Sequence, residues 1–119
     1  MQSFDTKSEV SAETKGSSQT VMAGHVQDLQ PGQSMTVELS GLGKLTLYNV
    51  NGEFYATESL CPHQGAPLDS GTLCGHIVEC FLHGWQFDVR TGECVTVSDR
   101  LKTFPVSVEE GLIRIANSE

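Results

Sequence analysis

Two short motifs, each joining a cysteine to a histidine, constrain this chain more than any other feature of its sequence. Cys61 is followed by His63 after one residue and Cys80 by His83 after two, with sixteen residues between the motifs. Thiolates and imidazoles suit zinc or iron–sulfur centres, and they suit calcium or magnesium poorly. The sequence therefore predicts a metal site built from two loops that the fold brings together.

The way the ligands are paired bears on which metal they bind. Zinc sites usually pair cysteine with cysteine and histidine with histidine over short spacings. Here each motif supplies one of each, which suits a dinuclear centre with Cys61 and Cys80 on one iron and His63 and His83 on the other. That ligand set is the Rieske [2Fe–2S] arrangement. A mononuclear zinc site with the same four residues stays open as the alternative.

The chain after residue 20 has the pattern of short strands and turns. Residues 36–39 alternate polar and apolar side chains, as a half-buried strand does. Asn51-Gly52 separates the β-prone runs 45–50 and 54–57, and this dipeptide predicts a tight hairpin because both turn positions need positive φ.

Further strands are predicted towards the C-terminus. A second hairpin joins residues 104–109 to 112–115, and residues 85–89 form a strand before a turn at 90–92. Several short strands separated by Gly and Asn turns indicate an all-β barrel or sandwich. Residues 59–75 show neither strand nor helix periodicity, and a loop of that length in a compact domain is usually functional.

Domain organisation follows from composition. Residues 1–20 are rich in Ser and Thr and nearly devoid of apolar side chains, which predicts a flexible N-terminal tail. Residues 21–119 then form a single domain. We find no hydrophobic leader and no apolar run of the roughly 18 residues that a membrane helix needs. These features predict a soluble protein of the cytoplasm, where cysteines serve in metal sites or cores rather than disulfides.

The net charge of the chain restricts the kinds of macromolecule that it is expected to bind. The chain has 15 acidic and 7 basic residues, a net charge of −8. Nucleic acids and anionic membranes repel such a chain, so neither is expected as a partner. The stretch between Lys44 and Arg90 holds acidic residues and no Lys or Arg. We therefore expect this segment to dock on basic protein surfaces, although acids that only keep a surface hydrated would give the same pattern.

Residues 61–68 (CPHQGAPL) and 80–88 (CFLHGWQFD) resemble the two cluster loops of bacterial Rieske-type ferredoxins, and residues 89–93 and 103–106 are similar to the strands that follow. The likeness extends over residues 20–117. It implies antiparallel sheets stacked like a barrel, with a small cluster-binding subdomain and one [2Fe–2S] cluster. It also implies a monomeric electron carrier, not an enzyme, between an NAD(P)H-dependent flavoprotein reductase and a terminal oxygenase such as an aromatic-ring dioxygenase.

Departures from that family's pattern are informative. Respiratory Rieske proteins carry an extra cysteine in each loop, and the matching positions here are Ala66 and Leu82, so their disulfide is absent. Those relatives also place Ser and Tyr hydroxyls beside the cluster, where this chain has Trp85 and Phe87. Fewer donors to the cluster sulfurs predict a potential near the low end of the Rieske range, about −150 mV. The third loop, residues 95–100, lacks the proline of relatives, which predicts a more mobile cover.

The remaining candidate residues have plainer interpretations. Cys74 and Cys94 are expected as small buried apolar residues. His25 and His76 have no partner at ligand spacing and are expected on the surface or in strands. Trp85 and Phe87 are expected to pack beneath the cluster. The chain is too short for a complete Rieske oxygenase.

Two other functions fit the same motifs. The chain could be the small Rieske-like subunit of an assimilatory nitrite reductase, which would purify with a large subunit. It could also be a zinc-stabilised interaction module, which would be colourless.

Overall fold

The described residues form ten short β-strands. The computed structural model describes residues 20–62, 65–82 and 84–117, and all structural statements below refer to them. The strands in chain order are β1 Thr20–His25, β2 Ser34–Leu39, β3 Gly43–Val50, β4 Glu53–Glu58, β5 Thr72–Cys74, β6 Ile77–Glu79, β7 Gln86–Asp88, β8 Thr103–Phe104, β9 Val106–Glu109 and β10 Leu112–Ala116. Two 3₁₀ turns, Val26–Asp28 and Leu68–Ser70, are the helical elements of this part. The predicted tail, residues 1–20, lies outside it apart from Thr20.

The strands make three antiparallel sheets. The terminal sheet has the order β9-β10-β1, the central sheet β2-β3-β4-β8 and the small sheet β5-β6-β7. The predicted all-β class with antiparallel sheets and a small subdomain is confirmed. Within the described ranges the sheets stack without closing into a barrel. No helix in these ranges is long and apolar enough to span a membrane.

Both predicted hairpins form at the turn dipeptides that indicated them. Asn51 and Gly52 have φ of 55° and 94° and join β3 to β4, with Val50 opposite Glu53. Glu110 (φ 52°) and the glycine after it join β9 to β10 in the same way. Positive φ at both central positions matches the right-handed twist of the flanking strands.

The second hairpin is shorter than predicted because its first strand is divided at Pro105. Phe104 belongs to β8 and pairs with Ala56 of the central sheet, whereas the hairpin strand begins at Val106. Proline has no N–H to donate to a ladder, so strands break beside it. The chain therefore passes from the central sheet to the terminal sheet at this residue.

The strands of the small sheet are three residues long, and two of them were not predicted. Residues 59–75, expected to be a loop, contain β5 as well as the turn Leu68–Ser70. The strand β6 follows, and the strand predicted at 85–89 is confirmed over Gln86–Asp88. Three residues are too few to show the alternation by which strands are recognised.

Two apolar cores lie on opposite faces of the central sheet. Leu45 and Leu47 of β3 face the terminal sheet and join one core, whereas Tyr48 and Val50 join a second core with residues of the small sheet. Alternate side chains of a strand point to opposite faces. Because β3 is buried on both faces, the central sheet connects the two halves of the molecule, and the second core contains both motif cysteines.

Candidate metal centre

The first motif lies in a loop that is closed by its own backbone. The Cys61 N–H donates to the Ala66 carbonyl at 2.8 Å, and the Gly65 N–H donates to the Cys61 carbonyl at 2.7 Å. These two hydrogen bonds fix the cysteine backbone on both sides. His63 lies outside the described residues, so its role as a ligand stays a prediction.

The second motif lies in a loop with the same two hydrogen bonds. The Cys80 N–H donates to the Trp85 carbonyl at 2.8 Å, and the Gly84 N–H donates to the Cys80 carbonyl at 2.9 Å. The sequence separations, five residues and four residues, equal those of the first loop. His83 lies outside the described residues and also stays a predicted ligand.

The fold brings the two motif cysteines into one buried cluster. Cys61 and Cys80 are each 1% exposed, and they share the second core with Leu68, Val78 and Phe87. Cys80 forms no disulfide. Two cysteines nineteen positions apart, each in a closed loop, are therefore placed as a pair of thiolate ligands would need to be.

The two loops are also joined to each other by a close backbone contact. Gly71 follows the first loop, and its Cα faces the carbonyl of Glu79, the residue before Cys80. A Cβ at position 71 would overlap that carbonyl oxygen. Since the contact leaves no room for a side chain, the exit of the first loop is set against the entry of the second.

The third loop attaches to the residues that follow the second motif. The Val95 N–H donates to the Gln86 carbonyl at 2.8 Å, and the Gln86 N–H donates to Thr96 Oγ1 at 3.2 Å. Gln86 also donates through its side-chain amide to Glu79 at 3.1 Å. The third loop, which lacks a proline, is therefore hydrogen-bonded to both the N–H and the carbonyl of Gln86.

The aromatic residues of the second loop were expected beneath the cluster, and both pack with the motif cysteines. Phe87 is fully buried in the core that contains both cysteines, and Trp85 packs against that core from a half-buried position. Neither side chain has a hydroxyl to offer a cluster sulfur. At the positions of the relatives' extra cysteines, Ala66 is buried and Leu82 is half exposed.

Tyr48 is a buried residue of this core that the sequence analysis did not single out. Its hydroxyl forms a hydrogen bond with Thr57 Oγ1 at 2.9 Å across the central sheet. Burial raises the pKa of Tyr48 far above its ordinary value, partly offset by the hydrogen bond with Thr57. The hydroxyl is therefore neutral and serves the packing of the sheet. In the sequence, Tyr48 was recognisable only as a member of the β-prone run 45–50.

The prediction that Cys74 and Cys94 are buried was wrong for Cys74. Cys74 is exposed because it ends β5 at the turn into β6. Cys94 is half-buried, packs against the core of the motif cysteines, and accepts a hydrogen bond from the Val97 N–H. Cys94 is thus a structural residue of the third loop, which its spacing in the sequence did not reveal.

The two remaining histidines lie outside the two motif loops. His25 is exposed at the end of β1, as predicted for a surface or strand residue. His76 lies in the turn between β5 and β6, and its ring meets Tyr55 edge-on with centroids 5.7 Å apart. Among the described residues, no group of three or more Cys, His, Asp or Glu forms a separate metal site.

An ion pair borders the small sheet. Arg90 donates through Nε and Nη2 to the two carboxylate oxygens of Asp88 at 3.0 and 2.8 Å. The hydrogen bond from Arg90 holds the pKa of Asp88 below its ordinary value. The negative charge of Asp88 is therefore balanced by Arg90. Asp88 contributes less to an acidic docking surface than the sequence suggested.

The donor set of the described residues fits an iron–sulfur cluster on the thiolate side. The two motif cysteines are buried together in an apolar core, which excludes water from that side. Each loop is closed by hydrogen bonds between its own amide and carbonyl groups, which hold the backbone of its cysteine in place.

Comparison with known families agrees with this geometry. Residues 19–105 match the model of the Rieske [2Fe-2S] domain. The chain belongs to this family, and its cofactor is one Rieske-type [2Fe–2S] cluster. The loops, the buried cysteines and the small sheet described above all lie within the matched residues.

Individual relatives show which kind of Rieske protein the chain resembles. The chain is 42% identical over 86 residues to the ferredoxin component of the naphthalene 1,2-dioxygenase system of Pseudomonas putida, covering 71% of this chain and 82% of the relative. A solved complex of reduced oxygenase and oxidized ferredoxin in carbazole 1,9a-dioxygenase matches with 37% identity and a TM-score of 0.76, covering 84% of this chain and 94% of that one. The Sphingomonas yanoikuyae B1 ferredoxin matches with 33% identity and a TM-score of 0.77, covering 83% and 99%. The chain is thus a Rieske ferredoxin, an electron carrier rather than an enzyme.

Proposed function

We propose that this ferredoxin carries single electrons from an NAD(P)H-dependent flavoprotein reductase to a terminal oxygenase that hydroxylates aromatic rings. Relatives near 40% identity are named as ferredoxin components of dioxygenase systems, and a similar ferredoxin was solved together with its oxygenase. We further propose that it works as a soluble monomer in the cytoplasm. Its net charge of −8 favours dispersal in solution.

Four residues are proposed as cluster ligands, with Cys61 and Cys80 on one iron and His63 and His83 on the other. The observation that carries this assignment is the burial of Cys61 and Cys80 in one core by two loops with equal hydrogen-bond patterns. Each histidine falls in the sequence between its cysteine and the end of the same loop.

The protein's own residues prepare the site for electron transfer. When bound, the cluster takes up and releases one electron at iron. The core around Cys61 and Cys80 excludes water, and Trp85 and Phe87 supply bulk without hydroxyl donors. Because hydroxyl donors to the sulfurs favour the reduced state, the lack of a hydroxyl at Trp85 and Phe87 supports a potential near the low end of the Rieske range, about −150 mV.

Exposed apolar residues beside the motifs are proposed as the face that meets redox partners. Phe81 and Leu82 of the second loop are 56% and 50% exposed, and Val95 of the third loop is 57% exposed. The backbone of Val95 is joined to Gln86, which follows the second motif, and patches of exposed large apolar side chains mark interaction sites. Because Phe81 and Leu82 lie between Cys80 and His83 in the sequence, partner contact at this face would occur at the second motif.

Ligand assignment is tested by single substitutions in the full chain. Cys61→Ser and Cys80→Ser are expected to abolish the visible absorbance and bound iron, whereas Cys74→Ser, at an exposed cysteine outside the motifs, is expected to retain both. His83→Cys is expected to shift the absorbance and lower the potential. Equal iron and colour in Cys80→Ser and Cys74→Ser would overturn the assignment.

Electron transfer is tested with purified partners. We expect a flavoprotein reductase of a ring-hydroxylating system to reduce the protein, and the reduced protein to be reoxidised by the matching oxygenase in single-turnover experiments. Phe81→Ser is expected to slow the second step about tenfold by weakening docking, while Val108→Ser, an exposed apolar residue of the terminal sheet, leaves it unchanged. Equal slowing by both variants would contradict the docking face.

A further inference from the structure

Cys94 and the third loop, residues 95–100, form a turn in which a backbone N–H donates to a sulfur atom. The Cys94 N–H donates to the Asp99 carbonyl at 2.9 Å, and the Asp99 N–H donates to the Val97 carbonyl at 3.0 Å. Inside this ring, the Val97 N–H donates to Cys94 Sγ at 3.4 Å. Thiol sulfur is a weak acceptor, but here it accepts from the Val97 N–H, which takes no part in the two backbone hydrogen bonds of the turn.

This turn is attached to the second metal loop. Val95 and Thr96 bond the carbonyl and the N–H of Gln86, which lies two residues after Gly84. Gly84 in turn closes the second loop through its hydrogen bond to the Cys80 carbonyl. A change in the conformation of the turn would therefore reach the segment directly after His83.

Cys94 also connects the turn to the buried core. Its side chain is half-buried and packs against the core of Cys61 and Cys80, and its backbone pairs with that of Phe87. On the outer side, residues 95–100 are exposed. The third loop is thus a single layer between water and the core, and the sulfur lies on its inner side.

We propose that Cys94 is a positioning residue for the cluster. Its sulfur holds the turn of residues 94–99 against Gln86, and the turn limits the access of water to the core that contains Cys61 and Cys80. The sulfur-centred turn supplies order that a proline would otherwise give to this loop. The part of the proposal that concerns the cluster rests on the proposed function, while the part that concerns the turn does not.

The test compares three variants of the full, cluster-loaded protein. Cys94→Ala removes the acceptor, Cys94→Ser keeps a polar acceptor at the same atom, and Cys74→Ala changes a cysteine outside the loop. The first readout is the amide hydrogen exchange of Val97, and the second is the reduction potential.

Cys94→Ala is expected to speed the exchange of Val97 about three- to tenfold, the range of one lost hydrogen bond. The reduction potential should rise, because water admitted to the cluster stabilises the more negative reduced state. Cys94→Ser should return both quantities towards the wild type, and Cys74→Ala should change neither.

A second route reaches the same loop without touching the cysteine. Thr96→Val removes the oxygen that accepts the Gln86 N–H, and it should raise the potential as Cys94→Ala does, so the proposal is testable even if that variant does not fold. Unchanged Val97 exchange in Cys94→Ala, or faster exchange with an unchanged potential in both loop variants, would overturn the proposal. Because exchange does not report on iron, a failure of the proposed function would appear separately, as a wild-type protein without colour or bound iron.

Discussion

The base of the molecule and its small-sheet end are built by different means. The base, which comprises the terminal and central sheets, has strands of up to eight residues joined by tight hairpins. The small-sheet end, residues 59–101, has three-residue strands and depends on hydrogen bonds between loops. Local sequence patterns thus specify the base, whereas contacts between distant segments specify the end that holds the cysteines.

This difference has a consequence for stability. Strands of three residues offer few ladder hydrogen bonds, and small sheets are marginal without support from another element or a bound group. Binding free energy of a metal centre adds directly to the stability of the segment that forms its site. We therefore expect the cluster to stabilise the small-sheet end much more than the base.

Removal of iron is expected to have the largest effect and to separate the two regions. In the apoprotein, or in Cys80→Ser, amides of β6 and β7 should exchange within about tenfold of unfolded-peptide rates, because local unfolding becomes accessible there. Amides of β3 and β4 should keep most of their protection. Equal loss of protection in both regions would show that the cluster supports the whole chain rather than one end.

A glycine in the small-sheet end provides the next largest effect. Gly92 has φ of 83°, and a Cβ there would overlap the Leu101 carbonyl oxygen. Gly92→Ala is expected to lower the free energy of unfolding by about 3 kcal/mol, because a backbone clash adds to the strained φ. Denaturant melts of the cluster-loaded protein measure this.

Gly75→Ala is the matched control for that substitution. Gly75 also has positive φ, 60°, but a Cβ there would meet open space. We expect a loss of about 1 kcal/mol from the φ alone. If the two variants lost equal stability, the close contact between Gly92 and Leu101 would not contribute.

Loss of the buried hydroxyl of Tyr48 in the central sheet should have a moderate effect on stability. Tyr48→Phe removes the hydroxyl that bonds Thr57 but leaves Thr57 its hydrogen bond to the Glu58 carbonyl. The expected cost is about 1 kcal/mol, the net value of one buried hydrogen bond. Tyr55→Phe, which removes a hydroxyl bonded to exposed Glu53, should cost much less. A larger effect at Tyr55 would contradict this ranking.

The ion pair beside the small sheet should have the smallest effect, confined to acid. Since the pKa of Asp88 is lowered in the folded protein, its pair with Arg90 stabilises the fold above the ordinary value of 3.8. That contribution is lost as the pH falls through the lowered pKa of the folded state. Arg90→Gln should move the pKa of Asp88 upwards in an NMR titration, and an unchanged pKa would show that another group lowers it.

The sequence predicted the base better than the end that carries the site. Asn51-Gly52 marked its hairpin because the backbone requirement of the turn lies in two adjacent residues. Phe104 was assigned to the wrong sheet because the apolar pattern continues across Pro105, and only the pairing with Ala56 places it.

In the site, residue types were predictable and contacts were not. Cys61 and Cys80 were identified by spacing, and the structure places both in one core. The contact of Gly71 with Glu79 and the bond from Val97 to Cys94 join residues whose sequence shows no matching pattern. Cys74, expected to be buried, is exposed because it ends a strand that was too short to predict.

The most direct test of the account is EPR spectroscopy of the dithionite-reduced full chain, together with the optical spectrum of its oxidised form. Mixed ligation by Cys61, Cys80, His63 and His83 predicts a coloured protein and a rhombic signal whose average g lies below that of clusters with four cysteine ligands. A colourless, EPR-silent protein that contains one zinc would contradict the account.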